Sequence, residues 1–446
     1  MCSFLITTIL EFILDYVNYY QKFRGPDATN DIIINNVRFI HNLLHMTGEV
    51  TLQPFVNEDS TIVCIFNGEI YNYKNFGDYK SDGLCLIDLY IKHGTNFIKE
   101  LDGEFAIVLF DFTKDIFICS TDVFSTKPLW YSIENGELCI ASYKSALTRL
   151  KFTNPIKLDP NTTIIFSLKE KIILDKITVF DFNLEQKKTT YDDWITAFDN
   201  AIIKRAKNTS YDVFVCLSSG YDSGVICCAL NKNKINYKTY TILSRENINI
   251  LNKRFELNTY CTEKTVFHLH KDEYDREKKY VREHCEDFNY IIPKQKFMLK
   301  ISDDKGARGM SFIFRQSSTK KQRVYLSGQG GDEIYSDYGY NGKKFYKHSQ
   351  FGGKFPKDLT QIFPWRSFYG GTQLSYLSKE ENISGLHGIE GRYPLLDKYA
   401  VQEFLWLVPD LKNKYYKGPI HAYMQQNDYP FDENIKIGFE ADVNLQ

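Results

Sequence analysis

The chain has 446 residues and almost no net charge: 55 Lys and Arg against 56 Asp and Glu leave a formal −1. With no global basic field, nothing points to nucleic acid or anionic lipid as a partner. No Cys-x-x-Cys pair occurs, and no Cys/His spacing suits zinc. Ten Cys scattered over this length do not make a disulfide scaffold; they read as small buried apolar residues of a reducing compartment. Long apolar runs are also missing. The N-terminal "MCSFLITTILEFILDYV" has no basic start, and Glu11 and Asp15 interrupt it, which argues against a signal peptide or membrane span. The expectation is a cytoplasmic protein with no membrane partner. Internal repeats and low-complexity tracts are absent as well.

What is present falls into two parts, within a length suited to two or three domains. Up to about residue 170 the chain carries short β-type runs, "TIVCIFNGEIY", "EFAIVLFDF", "DIFICSTDVF", "ELCIASY" and "TTIIFSL". Turn residues such as Asn135-Gly136 and Asp159-Pro160-Asn161 separate them, and one helical pattern, "LCLIDLYIKHG", lies among them. Many short strands with few helices predict an α+β region of stacked antiparallel sheets. The polar "NLEQKKTTYD" reads as a linker, and "DDWITAFDNAIIKRAKN" has helical spacing. Beyond residue 210, strand-like "YDVFVCL", "YKTYTIL", "TVFHLH" and "RVYLSG" alternate with helix-like stretches. That alternation predicts an α/β domain with a parallel sheet. The expected domains are 1–185 and 190–446, the second ending in a mostly helical tail.

In "VCLSSGYDSG" (215–224) an apolar strand ends in small residues before apolar residues resume. A strand, a small-residue loop and a helix make an anion site, because unpaired N–H groups and the helix dipole face outward there. Gly220 allows close approach, and Ser218, Ser219 and Ser223 can donate hydroxyls. Asp222 would repel a phosphate, but it suits Mg²⁺ travelling with one. The same stretch also fits an ordinary βα turn with an Asp cap. It is no Walker A loop, since GK[ST] is missing. A second strand, in "RVYLSGQGGDEIYSDYG" (323–339), ends in another Gly-rich turn, with Ser327, Gly328 and Gln329 before Asp332. In a parallel sheet both loops would leave the carboxyl ends of strands, where such sheets bind ligands.

These motifs together resemble the asparagine synthetase family. "LSSGYDSG" is similar to its pyrophosphate loop SGGxDS, "LSGQGGDEIYSDY" to its second loop, and "GIEGRYPLLD" (388–397) to its GxExRxPxLD segment. The N-terminal half resembles class II glutamine amidotransferases through Cys2, "RGPD" (24–27), "FNGEIYNY" (66–73), "SDGLCLIDLY" (81–90), "LDGEFAIVLFD" (101–111) and "DVFSTKPLWY" (122–131). The resemblance implies an N-terminal-nucleophile fold followed by an adenine nucleotide alpha-hydrolase-type domain. It implies that Cys2, freed by loss of Met1, hydrolyses L-glutamine with its own α-amine as base. Asn67 and Gly68 would form the oxyanion hole, and Glu69, Asp82, Met46 and Thr47 would hold glutamine. Read residue by residue alone, Asn67-Gly68 also fits a hairpin turn. Leu217, Ser218, Gly220, Asp222, Ser223, Ile242, Ser327, Gly328 and Gln329 would bind ATP, Asp222 and Asp332 would hold Mg²⁺, and Lys417 of "YYKGPIHAYM" would stabilise the phosphoryl charge. Ammonia would travel through a tunnel to an adenylated acceptor carboxylate, with release of AMP and pyrophosphate. A homodimer is among the assemblies allowed.

The departures are equally specific. Leu43 stands where the family's HxRL motif carries the Arg that pairs with the glutamine α-carboxylate, leaving Arg38, Arg24 or the backbone of 44–47 to replace it. Gln329 replaces the usual Glu, Ser219 replaces a Gly, and His421 replaces an Arg. Residues 243–320 match most weakly. Aspartate is one acceptor these features allow. A sugar acid, peptide carboxylate or modified nucleobase is another, and a non-catalytic homologue is a third reading.

Overall fold

The computed structural model describes residues 2–291 and 298–432; the family resemblance beyond 432 lies outside them. The chain divides into two compact units. One holds the residues up to Asp181 with His284–Glu286 and Ser384–Glu390; the other holds Phe182–Glu283, Asp287–Ile383 and the chain from Gly391.

The first unit contains two six-stranded sheets. One runs in the order Ile156–Lys157, Trp130–Glu134, Glu137–Ala141, Ser3–Thr7, Val37–Leu43, Ala28–Ile34; the other runs Ile173–Thr178, Thr162–Ser167, Ile116–Thr121, Gly103–Asp111, Ile62–Ile70, Phe55–Val56. Every pairing in both is antiparallel. Alternation along Ser3–Thr7 shows how the layers form. Phe4 and Ile6 join a core that also takes Val63, Ile65, Val108 and Phe110 from the second sheet. Leu5 points the other way, into a cluster with Ala146 and Leu147 of helix Lys144–Arg149. The strand is therefore buried on both faces and reads as an unbroken apolar run.

Asn135-Gly136 forms the expected tight turn, with φ of 53° and 81°. Asn67-Gly68 does not. It lies inside strand Ile62–Ile70, with Asn67 opposite Ala106 and Gly68 opposite Phe105. Gly68 has φ +143°, and a Cβ there would meet the Glu104 carbonyl oxygen at 1.9 Å. Its glycine answers a close strand crossing rather than a chain reversal.

The second unit is built on a sheet ordered Cys261–Phe267, Tyr237–Ile242, Val213–Cys216, Val324–Leu326, Glu390–Arg392. The first four strands are parallel. Helices Tyr221–Lys232 and Ile248–Leu257 make the crossovers on one side of Val213–Cys216, and helix Lys305–Thr319 precedes the strand on its other side. The order reverses between Val213–Cys216 and Val324–Leu326, so the loops after both strands open at a topological switch point, where open sheets place ligands. All ten cysteines are free thiols. Among the described residues no helix is long and apolar enough to cross a membrane.

A buried clamp holds one of these loops. Arg392 Nη1 donates to the carbonyls of Arg205 (2.7 Å) and Asn208 (3.0 Å). Asp397 pairs with Arg205 Nη1 at 2.7 Å and Lys204 Nζ at 2.5 Å, and it caps helix Lys398–Trp406 through the N–H groups of Tyr399 and Ala400. Tyr335 donates to the Leu395 carbonyl at 3.2 Å, tying the clamp to the helix that follows the second loop. Burial pushes the Asp397 carboxyl up, but Lys204 and Arg205 hold it well below the ordinary carboxylate range. Removing one partner of such a buried pair costs about 3–5 kcal/mol. Asp397→Asn should lower the denaturant-measured stability of the second unit by about that amount at neutral pH. A folded value below the unfolded one means the stability is present above the unfolded pKa and lost as pH falls through the folded one. The gap between wild type and variant should therefore narrow only in strong acid. An equal gap at pH 2 and pH 7 would count against the clamp.

Candidate functional site

In the first unit, Cys2 lines a cleft of about 400 Å³ together with Leu43, Met46, Thr47, Gly68, Glu69 and Asp82. Segments far apart in the chain thus bring most of the sequence-predicted residues together. The Cys2 thiol donates to the Leu44 carbonyl at 3.8 Å, and its own carbonyl accepts from Arg24 Nε at 3.0 Å. Burial pushes the thiol up to about 11, against the lowering effect of the terminal amine's charge; Glu390 and Asp82 add to the rise. The resting sulfur is protonated at neutral pH and needs a base to become a nucleophile.

Asn67 is fully buried, and among the described residues neither its side-chain oxygen nor its nitrogen has a hydrogen-bond partner. An orphaned amide at that depth costs about 1–3 kcal/mol, so it marks a place where a ligand atom completes the bonding. Beside it, Gly68 is fixed in the ladder. Two such donors suit a developing oxyanion. Glu69 Oε2 accepts from Thr47 Oγ1 at 2.9 Å, and Asp82 Oδ2 accepts from the Ile70 N–H at 2.9 Å. Of the substitutes offered for the family arginine, residues 44–47 line the cleft, whereas Arg38 and Arg24 are not among its lining residues. Arg38 forks onto Asp31 at 2.9 and 2.6 Å and donates to the Leu10 carbonyl. Buried Arg24 holds Cys2 and Tyr143. Glu390, the Glu of "GIEGRYPLLD", also lines the cleft; the motif was legible, but nothing in its pattern tied it to Cys2.

In the second unit the two Gly-rich loops meet at Asp222. A Cβ on Gly328 would lie 2.6 Å from Asp222 Cβ, and one on Gly331 would lie 2.1 Å from Asp222 Oδ1. Both glycines are required by this contact. Lys417 Nζ then bridges Asp222 Oδ1 at 2.5 Å and Asp332 Oδ1 at 3.0 Å, and Tyr416 donates to Asp332 at 2.7 Å. Burial alone would pull the Lys417 pKa down, but the two aspartates raise it, so the ammonium stays charged. Among the described residues no group of three or more His, Cys, Asp or Glu could hold a metal. The two converging aspartates fit Mg²⁺, which needs one or two protein carboxylates and completes its shell with water and phosphate oxygens.

The first loop is internally braced. The Ser218 N–H donates to Ser223 Oγ at 3.0 Å, their hydroxyls lie 2.8 Å apart, and the Gly220 N–H reaches Ser218 Oγ at 3.2 Å. Arg254 Nη1 donates to the Ser218 and Gly220 carbonyls at 2.6 and 2.9 Å. Gly224 makes room for it, since a Cβ there would meet the guanidinium at 2.5 Å. Ser219 finds partners instead of crowding the loop. Its N–H and hydroxyl both donate to Glu246 Oε2 at 2.5 Å, and its oxygen accepts from the Asn247 N–H at 3.0 Å. Leu217 and Ile242 are buried at the strand ends beneath.

In the second loop, Ser327 Oγ donates to Glu380 Oε2 at 2.6 Å and accepts from the Gln329 N–H at 3.0 Å. The Gln329 side-chain nitrogen is buried without a partner among the described residues. Glu380 also escaped sequence reasoning; its only trace is the Glu pair in "KEEN" on helix Gly371–Leu386. Burial raises its carboxyl to about 7, against the lowering effect of Ser327 and Lys379. His421 stacks on Tyr415 at 4.0 Å, an aromatic arrangement where the family carries Arg.

Comparison with known proteins follows this division. A family model for a glutamine amidotransferase domain matches residues 11–181, and one for asparagine synthase matches residues 194–367. Putative asparagine synthetase [glutamine-hydrolyzing] 1 of Methanocaldococcus jannaschii is 25% identical over 87% of this chain and 72% of that protein. Asparagine synthetase [glutamine-hydrolyzing] 2 of Bacillus subtilis is 24% identical over 90% of this chain, which spans 64% of the relative's length. Amidase chyE of Penicillium rubens is 34% identical over 30% of this chain and 21% of its own length.

Alkylation of Cys2 by iodoacetamide at pH 7.5 should be about a hundredfold slower than that of a free cysteine, in proportion to the lost thiolate. The rate, followed by peptide mass spectrometry, should still be climbing at pH 10. A plateau near pH 9 would show a thiol that burial does not hold up.

Proposed function

Because the chain belongs to the asparagine synthetase family of glutamine-hydrolysing carbon–nitrogen ligases, we propose that it couples amide hydrolysis at Cys2 to ATP-dependent amide formation in the second unit. The observation that carries this reading is the convergence of Asp222, Asp332 and Lys417, from three distant segments, at the carboxyl edge of the parallel sheet. A carboxylate–ammonium–carboxylate set is what a leaving pyrophosphate needs nearby. When bound, Mg²⁺ would neutralise phosphate charge. The chain's own residues would do the rest: the loop N–H groups and hydroxyls orient the phosphates, and Lys417 stays protonated to balance the developing charge.

At Cys2 the α-amine takes the thiol proton, and sulfur attacks the carboxamide carbon. The oxyanion settles on Asn67 and Gly68, and ammonia leaves. Water then releases the acyl group and regenerates the thiol. In the second unit an acceptor carboxylate oxygen attacks the α-phosphorus of ATP and displaces pyrophosphate. Ammonia, channelled from Cys2, displaces AMP to give the amide. Aspartate is the acceptor the family name suggests. An acceptor other than aspartate is a second reading, favoured by Gln329, which carries no charge where the family has a carboxylate. Glu380, one hydroxyl away through Ser327, places a carboxylate beside Gln329, where the sequence itself has none.

Cys2→Ala should abolish product formation from an amide donor while leaving ammonia-dependent formation intact, with AMP and product measured in parallel. Undiminished use of the amide donor would remove Cys2 from the reaction. Glu380→Gln should lower ATP–pyrophosphate exchange by about a hundredfold, the low end for a proton-transfer group. Lys379, Glu381 and Glu333 are the charged groups near Glu380. The wild-type rate should rise through pH about 7 as Glu380 ionises, and that rise should vanish in the variant. The same pH profile in both would reduce Glu380 to packing.

A further inference from the structure

The two donors set for an oxyanion, Asn67 and Gly68, are held by the strand beside them. In the ladder Gly68 lies opposite Phe105 and Asn67 opposite Ala106. The contact is tight: a Cβ on Gly68 would lie 2.7 Å from Phe105 Cα. A shift of Phe105 therefore carries Gly68 with it. Phe105 turns both its backbone groups the other way, to a place where the neighbouring strand has run out. Strand Ile116–Thr121 pairs with Gly103–Asp111 only as far as Thr121 opposite Ala106. The chain then turns, with Ser125 at φ 52° and its N–H on the Asp122 carbonyl at 3.0 Å. A backbone N–H left there without an acceptor would be costly.

Asp122 closes the gap. Its own N–H donates to the Phe105 carbonyl at 3.0 Å, and its Oδ2 accepts from the Phe105 N–H at 3.0 Å. The same carboxylate takes the Phe124 N–H at 3.0 Å, the Thr126 N–H at 3.0 Å and the Thr126 hydroxyl at 2.5 Å. These four donors fill its lone-pair positions and leave none for a proton. An ionised carboxylate fits; a protonated one, or an amide, would set hydrogen against hydrogen. Burial pushes the Asp122 carboxyl up to about 6, with Glu104 adding to the rise against the lowering effect of Thr126, Phe124 and Phe105. Glu104 is itself buried and paired with Lys127 at 3.8 Å.

Resting on the reading of Cys2 as an amide-hydrolysing nucleophile, we propose that Asp122 is a positioning residue for that reaction: its carboxylate fixes Phe105, Phe105 fixes Gly68 and Asn67, and the oxyanion donors are thereby aimed by a group that never touches the substrate. The support matters more for the transition state than for the bound amide, because charge develops only in the former. Its loss therefore belongs in kcat rather than in KM.

Ammonia release from L-glutamine by the full chain tests this, with the rate of Cys2 alkylation by iodoacetamide as a check on the rest of the cleft. At pH 8, Asp122→Asn should lower kcat about a hundredfold, the size of a misplacement of about 1 Å, with KM and the alkylation rate kept. In the wild type, kcat should fall with one proton as the Cys2 α-amine protonates, and with a second below pH about 6 as Asp122 does; the variant should lose the second. Thr126→Ala removes a donor that holds the carboxyl down, so its second fall should begin at higher pH. That shift can be read even where Asp122→Asn folds poorly. An unchanged kcat in Asp122→Asn, or a lowered kcat with raised KM and faster alkylation, would overturn the inference and leave Cys2 as the nucleophile. So would the same pH profile in wild type and Thr126→Ala. Ammonia release no faster from the wild type than from Cys2→Ala would overturn both.

Discussion

Lys417 between Asp222 and Asp332 is the interaction around which the second unit is organised. Lys417 is buried, and an unpaired ammonium there would lose its proton. The two half-buried aspartates keep it charged, and Tyr416 supplies a further donor to Asp332. The set also fixes backbone. Gly328 and Gly331 have no side chains because Asp222 fills that space, so the second loop is moulded onto the first. The clamp of Arg392 and Asp397 then holds the segment behind that loop. Chemistry and architecture share the same charges here, and altering one charge disturbs both.

The first unit reaches reactivity by a different route. It leaves a polar group unsatisfied. Among the described residues Asn67 is buried with nothing to bond, and burial holds the Cys2 thiol neutral while it donates to the Leu44 carbonyl. The orphaned amide costs stability in the resting protein, and under the proposed function a reacting amide would answer it. Preorganised donors of this kind need no rearrangement when charge develops. Their rigidity comes from the ladder between Ile62–Ile70 and Gly103–Asp111.

Much of this could be read in the sequence where local pattern and function coincide. The small-residue loops after apolar strands, Asp222, Asp332 and the helical run "LCLIDLYIKHG" all carry their structure on their face. Asn67-Gly68 misled residue-level reasoning, because the same dipeptide serves a tight turn and a strand crossing, and only the partner strand distinguishes them. Ser219 stood out as a departure from Gly, but its partner, Glu246, lies beyond a helix and a strand and left no local trace. Glu380 left almost no local signal, and Glu390 sat in a legible motif that did not reveal its place beside Cys2, since both placements come from tertiary neighbours rather than from spacing. The missing arginine at Leu43 was visible at once, yet its meaning depended on where Arg24 and Arg38 point.

The placement of Asn67 and Gly68 in mid-strand has one more consequence. The groups proposed to stabilise the reaction belong to a ladder paired over nine residues. The groups that face the rest of the donor, from Leu43 to Glu49, belong to a strand end and the turn beyond it. Mutation can therefore explore the second set without touching the first. In evolutionary terms the cleft is modular: its selectivity is free to drift while its reactivity is inherited unchanged.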